Sequence, residues 1–338
     1  MKAVGYYLPG PIDRTDALVD IELPDPVPGP RDLLVEVRAI SVNPVDTKVR
    51  AASAPAEGQA KVLGWDVAGV VRAVGGDVTL FRPGDEVFYA GSIARPGGNS
   101  ELHTVDERIV GRKPASLDFA QAAALPLTAI TAWELLFDRL GVTRDGGEGQ
   151  TLLVVGAAGG VGSILVQLAR RLTRLRIIGT ASRTDTVRWV KDLGAHEVID
   201  HSRGIVDELR RIGIPQVTHI ASLTHTDTHF AQLVEAIAPQ GRLGLIDDPA
   251  QLDANPLKRK AVSLHWEFMF TRSLFETDDM VKQHALLDEV SSLVDAGVLH
   301  TTVGDHYGTI DATHLSRAHR LLESGKARGK IVLEGFAR

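Results

Sequence analysis

Up to about Pro126 the apolar positions come in short runs, among them Leu33-Leu34-Val35-Glu36-Val37, Val70-Val71-Arg72-Ala73-Val74 and Glu86-Val87-Phe88-Tyr89. Pro, Gly, Asn and Asp separate them, which predicts strands joined by turns. Pro24, Pro26, Pro28 and Pro30 lack amide donors, so their segment is expected along an edge or the surface. Near Pro126 the period changes. Pro126 suits an early helical position ahead of the run 128–136, and Gly141 offers a stop after Leu140. A βα series then follows, with strands at 151–155, 176–180, 198–199, 218–221 and 242–246. Helices are expected at 161–172, from about 184, and at 230–237. One parallel sheet accommodates these units, so the chain is read as α/β. The tail predicts helices at 280–296 and 312–323 and a last strand at 330–334, pieces that return to the first domain.

The chain's 338 residues, 44% of them apolar, suffice for two domains with substantial cores. A net charge of -6 offers no basic surface for nucleic acid, which is not expected as a partner. With no cysteine there is no disulfide scaffold, Cys-ligated zinc, thiolate-held iron-sulfur cluster or thiol nucleophile. The first ten residues lack the pattern of a secretion signal, and no uninterrupted stretch reads as long enough to cross a bilayer. A cytoplasmic protein without a membrane partner is expected.

The strand Leu152-Leu153-Val154-Val155 breaks into Gly156-Ala157-Ala158-Gly159-Gly160-Val161-Gly162-Ser163 and then an apolar helix. Backbone amides would face an anion there, and a side chain at Gly159 or Gly162 would obstruct the turn, a pyrophosphate or helix-sheet packing. The turn points to a dinucleotide, against the alternative of an ordinary glycine-rich connection. After the next strand the chain reads Thr180-Ala181-Ser182-Arg183. An acidic residue there would suit the ribose of NAD, whereas Ser182 and Arg183 suit the phosphate of NADPH. Asp185 is close enough in sequence to reach the ribose instead, and a solvent-facing Arg183 is the competing reading.

Several separated segments resemble the medium-chain dehydrogenase/reductase superfamily, in its zinc-independent NADPH:quinone oxidoreductase and zinc-type alcohol-dehydrogenase-like branch. They are Ser41-Val42-Asn43-Pro44-Val45-Asp46-Thr47-Lys48-Val49-Arg50, Leu63-Gly64-Trp65-Asp66-Val67-Ala68-Gly69-Val70-Val71, Arg82-Pro83-Gly84-Asp85-Glu86-Val87, the 156–163 turn, and Arg328-Gly329-Lys330-Ile331-Val332. The resemblance implies a GroES-like, mostly β substrate domain over 1–126, completed by about 265–338. A Rossmann NADP-binding domain over 127–264 is inserted, with the active site in the cleft. It also implies a homodimer paired through the nucleotide-domain sheet. Where zinc relatives often carry a histidine-glutamate pair, this chain has Trp65-Asp66, and the catalytic cysteine and cysteine-rich lobe are absent. His225 and His229 share a helical spacing but do not complete a metal shell, so no metal is expected.

Without zinc, hydride transfer suits a quinone or α,β-unsaturated carbonyl, whose conjugation spreads the incoming charge toward oxygen. Asn43, Asp46 and Arg50 are the catalytic candidates; the competing reading is a helix cap with Asp46 paired to Arg50 or Lys48. Trp65 forms a pocket wall or ordinary core. By resemblance, Thr128 contacts the nicotinamide or caps a helix. Leu223, Thr224 and Ile246 wall the nicotinamide or ribose, and Lys330 approaches the cofactor or cleft. In Leu264-His265-Trp266-Glu267-Phe268-Met269-Phe270-Thr271-Arg272, the side chains of His265, Trp266, Phe268 and Phe270 suit an acceptor pocket or a buried contact. The expected function is an NADPH-dependent quinone or enone oxidoreductase. Reduction of another activated carbonyl, or NADPH binding without turnover, are the alternatives.

Overall fold

A computed structural model describes residues 1–336. The chain forms two units, one of Met1–Ile130 joined by the segment from Phe270 onward, the other of Thr131–Met269. The first begins with β1 (Lys2–Tyr6), β2 (Val19–Glu22), β3 (Asp32–Val42), helix α1 (Pro44–Ala52), β4 (Lys61–Val62), β5 (Val67–Val74), β6 (Glu86–Tyr89), β7 (Leu102–Asp106) and β8 (Val110–Arg112). β1 pairs antiparallel with β2 and β4, β3 with β5 and β7, and β6 with β5 and β8. The four prolines lie between β2 and β3, outside any strand. The early part of β3 alternates buried and half-buried residues, whereas residues 39–42 are all buried. Asn43, which follows β3, and Asp46 in the first turn of α1 are buried as well.

α2 (Phe119–Ala123) and α3 (Pro126–Trp133) follow, with a π-helical continuation over Glu134–Arg139. By length and composition the stretch Phe119–Arg139 could cross a bilayer, which corrects the expectation that no such stretch exists. Its most apolar window is 83% buried inside the protein, as a core helix requires.

The second unit carries β9 (Thr151–Val155), β10 (Arg176–Thr180), β11 (Glu197–Ile199), β12 (Val217–Ser222), β13 (Ile237–Leu245) and β14 (Ser263–Trp266). They form a parallel sheet in the order β11-β10-β9-β12-β13-β14. With α4 (Gly160–Leu172), α5 (Thr184–Asp192), α6 (Ile205–Arg211) and α7 (Thr226–Ala236), this is a Rossmann arrangement. Its strands read as apolar runs because both faces are covered: Leu153, Val155, Ile178, Ile220, Leu243 and Leu245 join one core with α6 and α7 residues. The strand order reverses between β9 and β12, which opens a crevice at their C-terminal ends.

Several elements differ from expectation, among them α6, which the sequence pattern does not predict. α7 starts at Thr226, where Asp247 Oδ2 accepts the Thr226 N–H at 2.9 Å, and it stops at Ala236, so Ile237 opens β13. β14 extends the sheet past residue 264, and α3 runs through residue 130. The units accordingly part at 130/131 and 269/270, rather than at 126/127 and 264/265.

From Phe270 the chain rejoins the first unit through α8 (Thr271–Leu274), α9 (Lys282–Asp295), β15 (Val303–His306), α10 (Ala312–Glu323) and β16 (Lys330–Glu334). β16 pairs antiparallel with β3, Ile331 facing Val42, which brings Lys330 to the start of α1.

Candidate functional site

The turn after β9 is set by backbone geometry. Gly156 lies at φ +81°, its N–H donates to Thr180 Oγ1 at 3.0 Å, and its carbonyl accepts from Gly159 N at 3.1 Å. A Cβ on Gly162 would stand 2.5 Å from Gly156 O and 2.6 Å from Ala157 Cα. Both are backbone atoms, so the fold itself requires this glycine. Gly159 differs: at φ -74°, its Cβ would meet only Gly156 O at 3.5 Å, an ordinary contact. The expected obstruction at Gly159 is therefore not one within the chain; a glycine there keeps space open outside the turn. Gly160 and Val161 start α4 with no side-chain cap from Gly159, so the positive end of a well-formed helix presents its first-turn amides. An anionic pyrophosphate fits this cradle.

The other expected cofactor residues sit at neighbouring strand ends. Ser182 and Arg183 are exposed after β10, Arg183 preceding α5 with Nε 3.4 Å from Asp185 Oδ1. Leu223 and Thr224 follow β12, where Leu223 N donates to Val155 O at 3.2 Å. A Cβ on Gly156 would lie 2.9 Å from Thr224 Cγ2, so these segments are close-packed. Ile246 follows β13 and donates its N–H to Ser222 O at 3.4 Å. Thr180 and Asp247, which sequence reasoning missed, fix the turn and the start of α7. A polar residue closing an apolar strand was the signal at Thr180; Asp247 gave none.

In the first unit a buried polar network links four elements. Asp46 Oδ2 accepts from Asn43 N at 2.7 Å and Oδ1 from Gly64 N at 3.0 Å, closing the first turn of α1. Asn43 Nδ2 donates to Asp66 Oδ2 at 2.8 Å, and Asp66 Oδ1 accepts from Leu127 N at 2.8 Å. Lys330 Nζ pairs with Asp66 Oδ2 at 2.9 Å and donates to Val42 O at 3.0 Å and to Asn43 Oδ1. An ammonium has three N–H donors, and these acceptors use all of them. Lys330 is thus the buried counterion of Asp66, with its donors engaged within the chain. Burial pushes the Asp46 carboxyl up to about 7 against the pull of its amide donors and Lys330. It also raises that of Asp66, opposed by Lys330. Thr128 Oγ1 donates to Leu125 O at 3.1 Å, leaving its lone pairs to accept.

Arg50 is directed elsewhere. Its guanidinium bonds Glu323 and Gly10 O, and Nε donates to His319 Nδ1 at 3.3 Å, tying α1 to α10. The alternative of an Asp46–Arg50 pair gives way to these contacts. Trp65 is buried, donates Nε1–H to Ser92 O at 3.1 Å and meets Phe270 edge-on at 6.2 Å, which is core packing. In the second unit His265 and Trp266 lie on the terminal strand β14, while Trp266 and Phe268 expose about half of their surface (52% and 46%).

Zinc does not fit these residues. Asp66 is bound to Lys330, Asn43 and Leu127 N. His103 uses both ring nitrogens, on Tyr89 Oη at 2.9 Å and Pro96 O at 2.9 Å, and its burial lowers its pKa to about 4. His225 contacts Thr224 and His229 packs against His201. Among the described residues no group of three or more His, Cys, Asp or Glu is placed to hold a metal ion.

A doubly wound unit and a second, β-rich unit completed by the C-terminal segment define the class of two-domain dehydrogenases and reductases. Residues 29–115 match the alcohol dehydrogenase GroES-like domain, and 193–333 match the zinc-binding dehydrogenase family. The chain is 37% identical to a zinc-type alcohol dehydrogenase-like protein of Staphylococcus epidermidis, covering 98% of this chain and 99% of that protein. Among solved structures, a Rhizobium etli CFN 42 protein titled "putative zinc-dependent alcohol dehydrogenase protein" is 58% identical, with a TM-score of 0.96 over 100% of this chain and 99% of its own. A quinone oxidoreductase of Pseudomonas syringae pv. Tomato DC3000 is 27% identical, with a TM-score of 0.84 over 99% of each chain. The chain belongs to the medium-chain dehydrogenase/reductase superfamily, a family of oxidoreductases.

Proposed function

We propose that the chain is an NADPH-dependent oxidoreductase that transfers hydride to a quinone or an α,β-unsaturated carbonyl without catalytic zinc. One observation carries this reading: where zinc relatives often carry a histidine-glutamate pair, this chain has Trp65, buried with its indole N–H on Ser92 O, and Asp66, held by Lys330, Asn43 and Leu127 N. With no Lewis acid to polarise the acceptor, the acceptor must be activated by its own conjugation. NADPH supplies the hydride when bound. The first-turn amides of α4 bind its pyrophosphate, while the Ser182 hydroxyl and Arg183 guanidinium take the 2′-phosphate in place of the weak Asp185 contact. Thr128 Oγ1, its proton on Leu125 O, accepts an amide N–H from the nicotinamide carboxamide. Asn43 is oriented by Asp46, Asp66 and Lys330, which act as positioning residues. Arg50 has no part in the chemistry. The exposed Trp266 and Phe268 and the terminal position of β14 favour a homodimer joined at that edge.

The test is turnover of purified protein with NADPH or NADH over matched quinones and conjugated enals and enones, identifying products. Acceptor-dependent NADPH oxidation, unchanged after chelation, is expected. Activity lost on chelation and restored only by zinc sinks the metal-free mechanism; NADPH binding without turnover on any acceptor favours a binding protein.

A further inference from the structure

At the N-terminal ends of the parallel strands, away from the nucleotide turn, the second unit carries a polar hollow of about 240 Å3. Gly141, Gln150, Thr218, His219, Gln240 and Arg242 line it, with no Asp or Glu in the lining. Gln150 immediately precedes β9, His219 faces Arg242 across β12 and β13, and Gln240 lies at φ +62°, a left-handed conformation uncommon for a side-chain-bearing residue. Most arginines of this chain reach a carboxylate. Arg242 donates Nη1–H to Leu140 O at 2.6 Å and, among the described residues, has no ion-pair partner.

The protonation of His219 follows from its neighbours. Thr218 Oγ1 donates to Thr151 O at 2.8 Å and accepts from Thr151 N at 2.9 Å. Its proton is therefore engaged, and the 3.0 Å contact with His219 must run from Nδ1–H to Oγ1. In the neutral ring Nε2 is then the acceptor nitrogen, on a residue whose strand position faces Arg242. Burial and Arg242 keep that ring neutral, lowering its pKa to about 4. An oxyanion resolves both features: it pairs with Arg242 and favours a proton on His219 Nε2, which then donates to it. Gln150 and Gln240, also in the lining, carry carboxamide N–H donors. Donors from β12, from β13 and from the residue before β9 suit a tetrahedral oxyanion better than a planar carboxylate. A phosphate monoester, with a second pKa of about 6, keeps a P–OH below that pH, which donates a hydrogen bond to the neutral Nε2 while its other oxygens accept from Arg242.

We propose that this hollow is an oxyanion site for a phosphate group, free or at the end of a small metabolite, separate from the nucleotide turn. The assignment does not rest on the hydride-transfer reading.

The experiment titrates inorganic phosphate, and separately glycerol 3-phosphate, into the full chain at constant ionic strength set with chloride. The His219 imidazole Cε1–H is followed by NMR, assigned through His219→Gln. A saturable shift is expected, with the His219 pKa rising by about one unit at saturation. Arg242→Gln should weaken phosphate about tenfold while NADPH affinity keeps its wild-type value. Because Arg242 also holds Leu140 O, Gln240→Gly is the second variant; it keeps that bond, relieves the left-handed backbone and should weaken phosphate severalfold. Tighter binding of glycerol 3-phosphate assigns the site to a metabolite, and equal binding to the free anion. A response no larger than that to chloride, an unshifted His219, or displacement of phosphate by NADPH overturns the proposal.

Discussion

Gly162 and Gly159 occupy one turn for different physical reasons, and substitutions at each separate folding from binding. At Gly162 any Cβ strikes backbone at 2.5 Å, so Gly162→Val should displace the turn and lower thermal stability together with NADPH affinity. At Gly159 a methyl has room within the chain, so Gly159→Ala should keep its melting temperature while NADPH binding weakens. Melting curves and binding titrations of the two variants check this; unaltered NADPH affinity in Gly159→Ala would mean that no ligand approaches there. Arg183 offers a second residue-scale test. Its contact with Asp185 is long and exposed, so little stability depends on it. Arg183→Ala should weaken NADPH about tenfold and NADH little, since a charged hydrogen bond to phosphate is lost only from the former. Equal losses for both cofactors would remove the phosphate-reading role.

Among elements, the buried pair Asp66–Lys330 joins the segment leading into β5 to β16 and, through Asn43 and Leu127, to the start of α1 and to α3. Lys330→Met leaves a carboxylate in the interior without its counterion, and a loss of about 3–5 kcal/mol is expected. Adding Asp66→Asn should recover part of that loss, because the uncompensated charge is removed with its partner. Denaturant unfolding of both single variants and the double variant measures the coupling; additive losses would argue against a charge pair. The sequence showed these residues but not this relation. Asn43 and Asp46 were legible because they flank Pro44 at a helix start, whereas Lys330 meets them only through the pairing of β16 with β3. Arg50 likewise finds Glu323 and His319 on α10, far away in sequence. The parallel sheet was legible because strands buried on both faces leave long apolar runs. β14 was not: Ser263-Leu264-His265-Trp266 is short and mixed, and its alignment with β13 is a non-local choice.

For the whole molecule, buried titratable groups set how stability varies with pH. In the first unit His103 and His319 have pKa values lowered to about 4 and about 3 by burial, and in the second His219 is lowered to about 4. Unfolded imidazoles titrate near 6.5, so between those values the unfolded chain binds protons that the folded chain excludes. Stability from these groups is present above pH 6.5 and is lost as pH falls. Asp46 acts in the opposite sense. Its folded pKa, raised to about 7, exceeds the unfolded one, so its contribution is present at low pH and is lost as pH rises toward 7. In the first unit the two histidines are opposed by two carboxyls, since burial raises the Asp66 pKa as well as that of Asp46. In the second unit His219 contributes an acid loss of up to about 1.4 kcal/mol per pH unit, and His196, His229 and His265, whose pKa values burial also lowers, add to it. Urea unfolding in a phosphate-free buffer should therefore show a lower midpoint at pH 5 than at pH 6.5. Asp46→Asn, which removes one of the opposing titrations, should steepen that fall for the first unit. A wild-type midpoint that stays level or rises on acidification would mean that these imidazoles are charged in the folded chain, and an unchanged slope in Asp46→Asn would mean that its carboxyl is already ionised at pH 5.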